Sequence, residues 1–330
     1  MAEFIVGNPL RKVARRHPWL QRALWRIDFA LVWVLVKLFA LVPVDRASRI
    51  GERVGRWVGP RLRRKSAIYR ENMRLAFPEL SEEELENRVR NAWGRVGRIL
   101  AEYPHLATIL DEDERLEIVI DEPVGPLGGD KAGPCVVVSA HLSNWEVVCS
   151  AMARLGMPNA SLYSPPTNPY LDNMLAESRQ ALLCKLLPRD NSSRLLMRAL
   201  KEGRTVGMVM DRRVDEGHPI RFFGQEKLST LIPARLALKF DCPLVPAEVE
   251  RIEDARYRVT FHAPVRPRNP EATETERAVD MIEQLHQHFE SWIRRHPEDW
   301  FCSKRLWDKN ASVSAADPDK KDASLESYAA

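Results

Sequence analysis

Residues 135–140, CVVVSA, form a continuous apolar run, and the polar segment 141–146, HLSNWE, follows it directly. An uninterrupted run of this length is typical of a strand buried on both faces of a parallel sheet. A second strand is predicted at 205–210, TVGMVM, and the charged residues 211–213, DRR, follow it in the same way. Ligands of open α/β sheets bind beyond the carboxyl ends of the strands. The two polar segments are therefore candidates for a functional site.

Helices alternate with strands through the middle of the chain. The apolar spacing predicts helices at 146–155, 193–202 and 233–240. Two further strands, at 244–250 and 257–261, are predicted to pair across a turn at Asp254 and Ala255. This order indicates an α/β fold in which a mostly parallel central sheet is flanked by helices. A largely helical region, about 20–110, precedes the sheet, and an amphipathic helix at about 275–295 follows it.

Two basic blocks near the N-terminus are separated by an apolar run. The run, 29–42 (FALVWVLVKLFALV), is shorter than the roughly 20 apolar residues that a membrane-spanning helix needs. Basic residues stand on both sides of it, and no acidic residue lies between Arg11 and Arg26. We therefore predict a helix in the cytoplasmic leaflet of a membrane, with its basic flanks bound to anionic headgroups. The alternative is a buried helix of a soluble domain, but three tryptophans favour the interface: Trp19, Trp25 and Trp33.

The composition fits one large α/β domain with appendages: 330 residues, 45% hydrophobic and 29% charged, with a net charge of +4. We divide it into a membrane-associated helix at 1–45, a main domain at 46–310 and a disordered tail at 311–330. The five cysteines include no C-x-x-C pair, so reduced cytoplasmic thiols are expected and no zinc site is indicated. The basic blocks predict an anionic partner. Nucleic acid is the less favoured choice, because an apolar run separates them.

His141 and Glu146 are candidates for acid–base chemistry. The histidine ends a predicted strand, and the turn after it can bring the carboxylate of Glu146 onto the imidazole. Such a pair orients the ring and raises its basicity, so that it can take a proton from an alcohol attacking a thioester. The spacing alone leaves an alternative, in which Ser143 and Glu146 form a helix capping box and His141 is only a packed side chain.

Five sequence blocks in order carry a family resemblance, whereas no G-x-S-x-G elbow, Walker A loop or G-x-G-x-x-G motif occurs. The blocks resemble the lauroyl/myristoyl acyltransferases of lipid A biosynthesis, within the lysophospholipid-acyltransferase-like superfamily. They are HLSNWE, LYSPPTNPYLDNMLAESR, MVMDRRVDEGHPIRFFG, CPLVPAEVER and HPEDWF. The resemblance extends from the N-terminal helix to about Trp307, which is nearly the whole chain.

The resemblance implies a glycerol-3-phosphate acyltransferase-like fold and an enzyme without metal or cofactor at the cytoplasmic face of the inner membrane. It implies transfer of an acyl chain from acyl carrier protein to a hydroxyl of a lipid A precursor. The expected partners are thus acyl carrier protein, a membrane glycolipid acceptor and an anionic membrane surface, with no nucleic acid.

The resemblance also assigns roles to residues of this chain. His141 is the expected general base and Glu146 its partner, while residues 222–224 are expected to shape a loop beside the acyl channel. Arg179 is expected to bind the phosphorylated head group or the donor, and Asp211 to organise the polar end of the site. The expected substrate-binding residues are Asn144, Arg179, Asp211 and Arg212.

Three departures from the family pattern leave the acceptor open. Ser164 stands where an arginine is more common, and Arg212 follows Asp211 where glutamine is more common. The Asp-Arg pair resembles actinobacterial acyltransferases that modify phosphatidylinositol mannosides. Residues 302–304 replace an aromatic residue and a histidine. Arg212 is a hypothetical substitute for the cation missing at Ser164. The alternatives are another glycolipid or aminolipid acceptor, a thioesterase, and a non-catalytic lipid-binding protein on this fold.

Overall fold

A computed structural model describes residues 4–121, 127, 133–189 and 192–308. The tail predicted to be disordered, 311–330, lies outside the described residues. The α-helices of the described part are α1 (Arg11–Ala14), α2 (Pro18–Ala40), α3 (Val44–Val58), α4 (Arg63–Ala76), α5 (Glu82–Glu102), α6 (Leu106–Asp111), α7 (Val147–Arg154), α8 (Pro169–Ser178), α9 (Ser192–Lys201), α10 (Ile232–Phe240) and α11 (Glu274–Arg295). The strands are β1 (Leu116–Ile120), β2 (Val136–Ser139), β3 (Asn159–Tyr163), β4 (Lys185–Pro188), β5 (Thr205–Val209), β6 (His218–Phe222), β7 (Gln225–Ser229), β8 (Leu244–Glu253) and β9 (Arg256–Phe261).

A seven-stranded sheet forms the centre of the described chain, in the order β1-β9-β8-β2-β5-β3-β4. The pairs from β8 to β4 are all parallel, whereas β9 runs antiparallel to β8. The predicted α/β fold with a mostly parallel sheet is confirmed. The predicted pairing of β8 with β9 is also confirmed, and Asp254 in the turn between them has a φ of 41°.

The register of β2 on β5 brings the two polar segments together. Val137 lies opposite Gly207 and Ser139 lies opposite Val209. Because parallel neighbours in register point the same way about 4.8 Å apart, residues two positions further along each chain also meet. Those residues are His141 and Asp211.

The helices before the sheet form a layer in which α3 packs along α5. A side chain at Gly51 would overlap the backbone carbonyl of Gly97, so the absence of side chains allows the two helices to approach closely. Helix α5 begins at a capping box, in which the Ser81 hydroxyl accepts from the backbone N–H of Glu84. The same packing leaves the apolar side chains of Val54 and Trp57 on α3 exposed.

Helix α2 contains the apolar run of the N-terminal region and exposes much of it. Leu41, just beyond its end, is 81% exposed, and several large apolar residues of the helix are also exposed. No helix in the described ranges is long and apolar enough to cross a membrane. The N-terminus is fixed to α2 by Asp28, whose carboxylate accepts from the backbone N–H groups of Ile5 and Val6 at 2.8 and 3.0 Å.

Two sequence expectations differ from the structure near the site. The capping box at Ser143 and Glu146 was wrong: α7 begins after Glu146, which makes no side-chain capping bond, and Ser143 has a φ of 49°. The hairpin of β6 and β7 was not anticipated, because its strands mix charged residues and a proline instead of forming apolar runs.

Candidate active site

His141 and Asp211 form a hydrogen-bonded pair at the carboxyl edge of the sheet. The ring Nδ1 of His141 meets the Oδ1 atom of Asp211, and the other carboxylate oxygen accepts from the indole N–H of Trp300 at 2.9 Å. Both residues are buried, with Asp211 1% exposed. The backbone N–H of Phe301 donates to the carbonyl of His141 at 2.7 Å, so the segment after α11 fixes both members of the pair.

The charges of this pair follow from burial. Burial lowers the pKa of His141 by more than the neighbouring Asp211 raises it, so the imidazole is neutral at pH 7. Burial would raise the pKa of Asp211, but His141, Arg212 and Lys227 together lower it below its usual range. An ionised carboxylate can only accept a hydrogen bond, so Nδ1 of His141 carries the proton. The lone pair on Nε2 is therefore free to accept a proton, and within the described residues no side chain hydrogen bonds to it.

Glu146 was expected to orient His141, and that expectation was wrong. Its carboxylate accepts from Nε and Nη2 of Arg179 at 3.0 and 2.5 Å, and from the hydroxyl of Tyr103 at 2.7 Å. Burial opposes the charge on Arg179, but the hydrogen bonds and charge of Glu146 raise its pKa overall. The turn after β2 points Glu146 toward the segment after α8, away from Asp211. The structure thus joins two predicted residues, Glu146 and Arg179, in a pair of their own.

A cavity of about 450 Å³ opens beside His141. Its volume falls in the range of small-molecule sites, roughly 300–1,000 Å³. Ser161 and Gly207 of the sheet and Cys149 on α7 line one part of it. Its apolar wall is formed by Val137, Val148, Leu162, Leu182, Leu186, Met208, Val209, Met210, Ile232 and Pro233. This apolar lining suits a hydrocarbon chain.

Cationic side chains outnumber acids around the cavity. Glu146 is the one carboxylate among the described residues that line it, against six cations: Arg179, Arg189, Arg212, Arg213, Lys304 and Arg305. Among the described residues, Arg189, Arg212 and Lys304 form no ion pair. Burial and the charges of Arg212 and Arg189 lower the pKa of Lys304, as expected where cations crowd together. Such a cluster attracts phosphate or carboxylate groups.

Other expected site residues lie elsewhere. Asn144 is 2% exposed and does not line the cavity. Residues 222–224 form the turn of the β6–β7 hairpin, where both phenylalanines pack on Trp300. They do not line the cavity, and their expected role beside an acyl channel stays a prediction.

The pairing of His141 with Asp211 was missed, although the sequence contains a signal for it. Aligning CVVVSA with TVGMVM as adjacent strands places His141 beside Asp211 without a gap. Lys227 was missed as well, since a lysine in a short polar strand is normally exposed. No group of three or more His, Cys, Asp or Glu residues that could hold a metal ion occurs in the part of the chain that the structure describes.

A neutral imidazole held by a carboxylate, beside a cavity with apolar walls, can activate a hydroxyl group toward a thioester or ester. The class that this defines, an acyl-transferring α/β enzyme, agrees with the family comparison. The family model for bacterial lipid A biosynthesis acyltransferases matches residues 16–309, so the chain belongs to that family. The resemblance found in the five sequence blocks is thereby confirmed.

The chain is similar to two known proteins. The chain is 20% identical, over 293 residues, to a lipid A biosynthesis acyltransferase of Haemophilus influenzae, covering 86% of this chain and 87% of that protein. The crystal structure of the 1-acyl-sn-glycerophosphate acyltransferase from Thermotoga maritima is 15% identical, with a TM-score of 0.35. That alignment covers 80% of this chain and 97% of the other.

Proposed function

We propose that this protein transfers a fatty acyl chain from acyl carrier protein to a hydroxyl of a lipid A precursor, at the cytoplasmic face of the inner membrane. One observation carries the proposal: the neutral, buried His141, held by Asp211, borders a cavity with apolar walls and a cationic rim. The cationic rim is the set of six lysine and arginine side chains that line this cavity. The family of the chain supports acyl transfer and lipid A biosynthesis. The donor, the acceptor hydroxyl and the location are the proposed parts.

The reaction follows from the free lone pair on Nε2 of His141. The acceptor hydroxyl gives its proton to Nε2 while its oxygen attacks the thioester carbonyl carbon, and Asp211 stabilises the imidazolium that forms. The carbon–sulfur bond then breaks, and the imidazolium returns the proton to the departing thiolate. The products are an ester on the acceptor and the free thiol of acyl carrier protein. General base catalysis of this kind contributes about 10²- to 10⁴-fold to the rate.

The cationic rim fits both substrates. A phosphorylated glycolipid and an acidic carrier protein each bring negative charge, and arginine binds phosphate in a bidentate manner. Arg212 lies with its guanidinium 5.7 Å from the ring centre of Phe301 at the cavity edge. Arg212 also lines the cavity, which supports the hypothesis that it supplies the acceptor with the cation that is missing at Ser164.

Membrane attachment is proposed from helices α2 and α3. Both expose large apolar side chains: Trp19, Ile27, Leu31, Trp33, Val34, Leu35 and Leu38 on α2, with Ile50, Val54 and Trp57 on α3. Arginines flank them, which favours an anionic surface.

The test is mass spectrometry of lipids after the purified, detergent-held protein is incubated with acyl carrier protein carrying a saturated chain. The acceptor is a Kdo-modified tetra-acylated lipid A precursor, and His141→Ala is the parallel variant. The expected result is an acceptor mass increase of one acyl group, absent with the variant.

Parallel reactions separate the alternatives. Product only with phosphatidylinositol mannoside or an aminolipid would replace the acceptor but keep the chemistry. Release of the carrier thiol without any acceptor would indicate a thioesterase. No turnover with any acceptor would contradict the proposal and favour a lipid-binding role.

A further inference from the structure

Lys227 is a buried lysine on the inner side of the β6–β7 hairpin. It is 1% exposed, and its ammonium lies 4.1 Å from the ring centre of Phe222. The alternation along β7 directs Lys227 and Ser229 inward, where the neighbouring hairpin residues Ile220 and Phe222 are apolar. A charged group in such surroundings is costly unless it is paired or hydrogen bonded. The buried ammonium of Lys227 therefore needs a hydrogen-bond partner.

The ammonium of Lys227 donates to the backbone carbonyl of Asp211 at 2.6 Å. Strand β5 ends at Val209, so the carbonyl of Asp211 lies beyond the sheet ladder. Lys227 forms no ion pair within the described ranges; this carbonyl is the acceptor of its hydrogen bond. The contact joins the hairpin to the residue that holds His141.

We infer that Lys227 is a positioning residue for acyl transfer: it fixes the backbone of Asp211 and offsets the charge of its carboxylate, so that Asp211 holds the imidazole of His141 while the ring stays neutral. This inference deepens the proposed function and rests on His141 as the base. Lys227 touches neither the cavity nor His141 and acts only through Asp211.

The electrostatics agree with that geometry. Lys227 is among the groups that lower the pKa of Asp211, and Asp211 in turn raises the pKa of His141 against the effect of burial. Burial lowers the pKa of Lys227 itself to about 7, while Asp211 and Glu290 act to raise it. The charged or titratable groups that face Lys227 are Asp211 after β5 and, from α11, Glu290 and His286.

Without the positive charge of Lys227, the negative charge of Asp211 should raise the pKa of His141 further. In Lys227→Met, which nearly preserves the shape of the side chain, we expect the pKa of His141 to rise by about 0.5–1 unit. We expect kcat to fall about 10- to 100-fold, the usual loss when an outer hydrogen-bond partner of a site residue is removed. KM for donor and acceptor should remain unchanged, since Lys227 does not line the cavity.

The experiment has a readout independent of turnover. The pKa of His141 is measured by NMR of protein with ¹³C-labelled histidine, assigned with His141→Gln, in wild type and Lys227→Met. Ser229→Ala is the matched control: it alters the same buried hairpin, where the Ser229 hydroxyl donates to the carbonyl of Lys227 at 3.3 Å, without changing the contact with Asp211. The exposed Lys185→Met controls for the loss of a lysine.

A higher pKa of His141 in Lys227→Met, with both controls at the wild-type value, supports the inference. An unchanged pKa overturns it, even if activity falls, because a purely structural role would also lower activity. If no acceptor is acylated by wild type, the proposed function fails while the NMR titration still tests the link from Lys227 to His141. If Lys227→Met does not fold, Lys227→Gln replaces it: it also removes the charge, and a pKa of His141 that stays at the wild-type value then overturns the inference.

Discussion

His141 and Asp211 are 70 residues apart in sequence and hydrogen bonded side by side at the edge of the sheet. Each lies two residues beyond a paired position, Ser139 on β2 and Val209 on β5. Because the two strands pair in parallel and in register, the geometry of the sheet itself assembles the pair. The carboxylate that contacts the imidazole ring is therefore that of Asp211 and not that of Glu146.

The first prediction concerns Asp211→Asn. The amide keeps the size of the side chain and removes the negative charge that stabilises an imidazolium, so kcat should fall about 10²- to 10⁴-fold. The indole N–H of Trp300 can still donate to the side-chain oxygen, so the folded structure should persist. Steady-state kinetics with acyl carrier protein as donor measures the loss, and near-ultraviolet circular dichroism checks the fold. Activity within about threefold of wild type would remove Asp211 from the mechanism.

The second prediction is the acid limb of the pH profile. The pKa of His141 is lowered by burial, and only the neutral ring accepts a proton. The rate constant kcat/KM should therefore rise with pH through a pKa below about 6.5, the ordinary histidine value.

The lowered pKa of His141 also affects the stability of the folded protein. A histidine whose pKa is lower in the folded state binds fewer protons than in the unfolded chain, so the free energy of unfolding falls as pH drops below about 6.5. Burial also lowers the pKa of His286, which adds to this loss. Urea unfolding at a series of pH values measures it, and constant stability down to about pH 5 would contradict the neutral, buried state of these two rings.

The third prediction separates Glu146 from the base. The side chains of Glu146 and Arg179 are 13% and 14% exposed, so each single change, Glu146→Gln or Arg179→Met, leaves a buried partner unpaired. Each should destabilise the fold by about 3 kcal/mol. The double variant should cost less than the sum of the two.

The kinetic consequence distinguishes the two possible partners of His141. Glu146→Gln should leave the pKa of the acid limb of kcat/KM unchanged, because Asp211 and not Glu146 contacts the ring. A lower stability with an unmoved acid limb is the expected combination, measured by urea unfolding and by pH-dependent kinetics. If Glu146→Gln shifts the pKa of the acid limb, then Glu146 acts on His141, as the sequence suggested.

The strands of the sheet could be predicted from the sequence, whereas several side-chain contacts at the edge of the sheet could not. Apolar runs such as 135–140 and 205–210 identify buried strands because their environment demands continuous hydrophobicity. The side-chain partner of Glu146 depends on the turn after β2, where Ser143 takes a left-handed φ of 49° that no local pattern predicts. Lys227 is a similar case: its polarity indicates an exposed strand, and tertiary packing overrides that preference. Function-bearing residues are where local rules fail most often.

The fourth prediction concerns acyl chain length. Gly207 lines the cavity, and a Cβ atom there would overlap the hydroxyl of Ser161 and approach Met152 Cε to 3.3 Å. Gly207→Ala should narrow the cavity and shift the preference toward shorter donors. Competition among saturated acyl carrier proteins of graded length, followed by mass spectrometry of the product, measures the shift. Gly133→Ala is the matched control, since a Cβ atom there meets nothing within 4 Å. An unchanged preference in Gly207→Ala would mean that the chain binds elsewhere.

The fifth prediction concerns the membrane surface of α2 and α3. Leu38 on α2 and Trp57 on α3 are 55% and 64% exposed. Burying a large apolar side chain in a lipid interface contributes about 1.5–3 kcal/mol, so Leu38→Glu and Trp57→Glu should each weaken vesicle binding about tenfold or more. Co-sedimentation with vesicles of phosphatidylglycerol and phosphatidylethanolamine measures this, with pure phosphatidylcholine vesicles as the neutral comparison.

A matched variant makes that experiment specific. Ile252→Glu places the same charge at the end of β8, where the isoleucine is 49% exposed, and should leave binding unchanged. Salt should weaken the wild-type interaction, because the arginines beside α2 and α3 act on anionic headgroups within about one Debye length. Equal losses in all three variants would mean that the added charge, and not the apolar surface of α2 and α3, governs binding. Attachment to the bilayer would then have to come from another part of the chain.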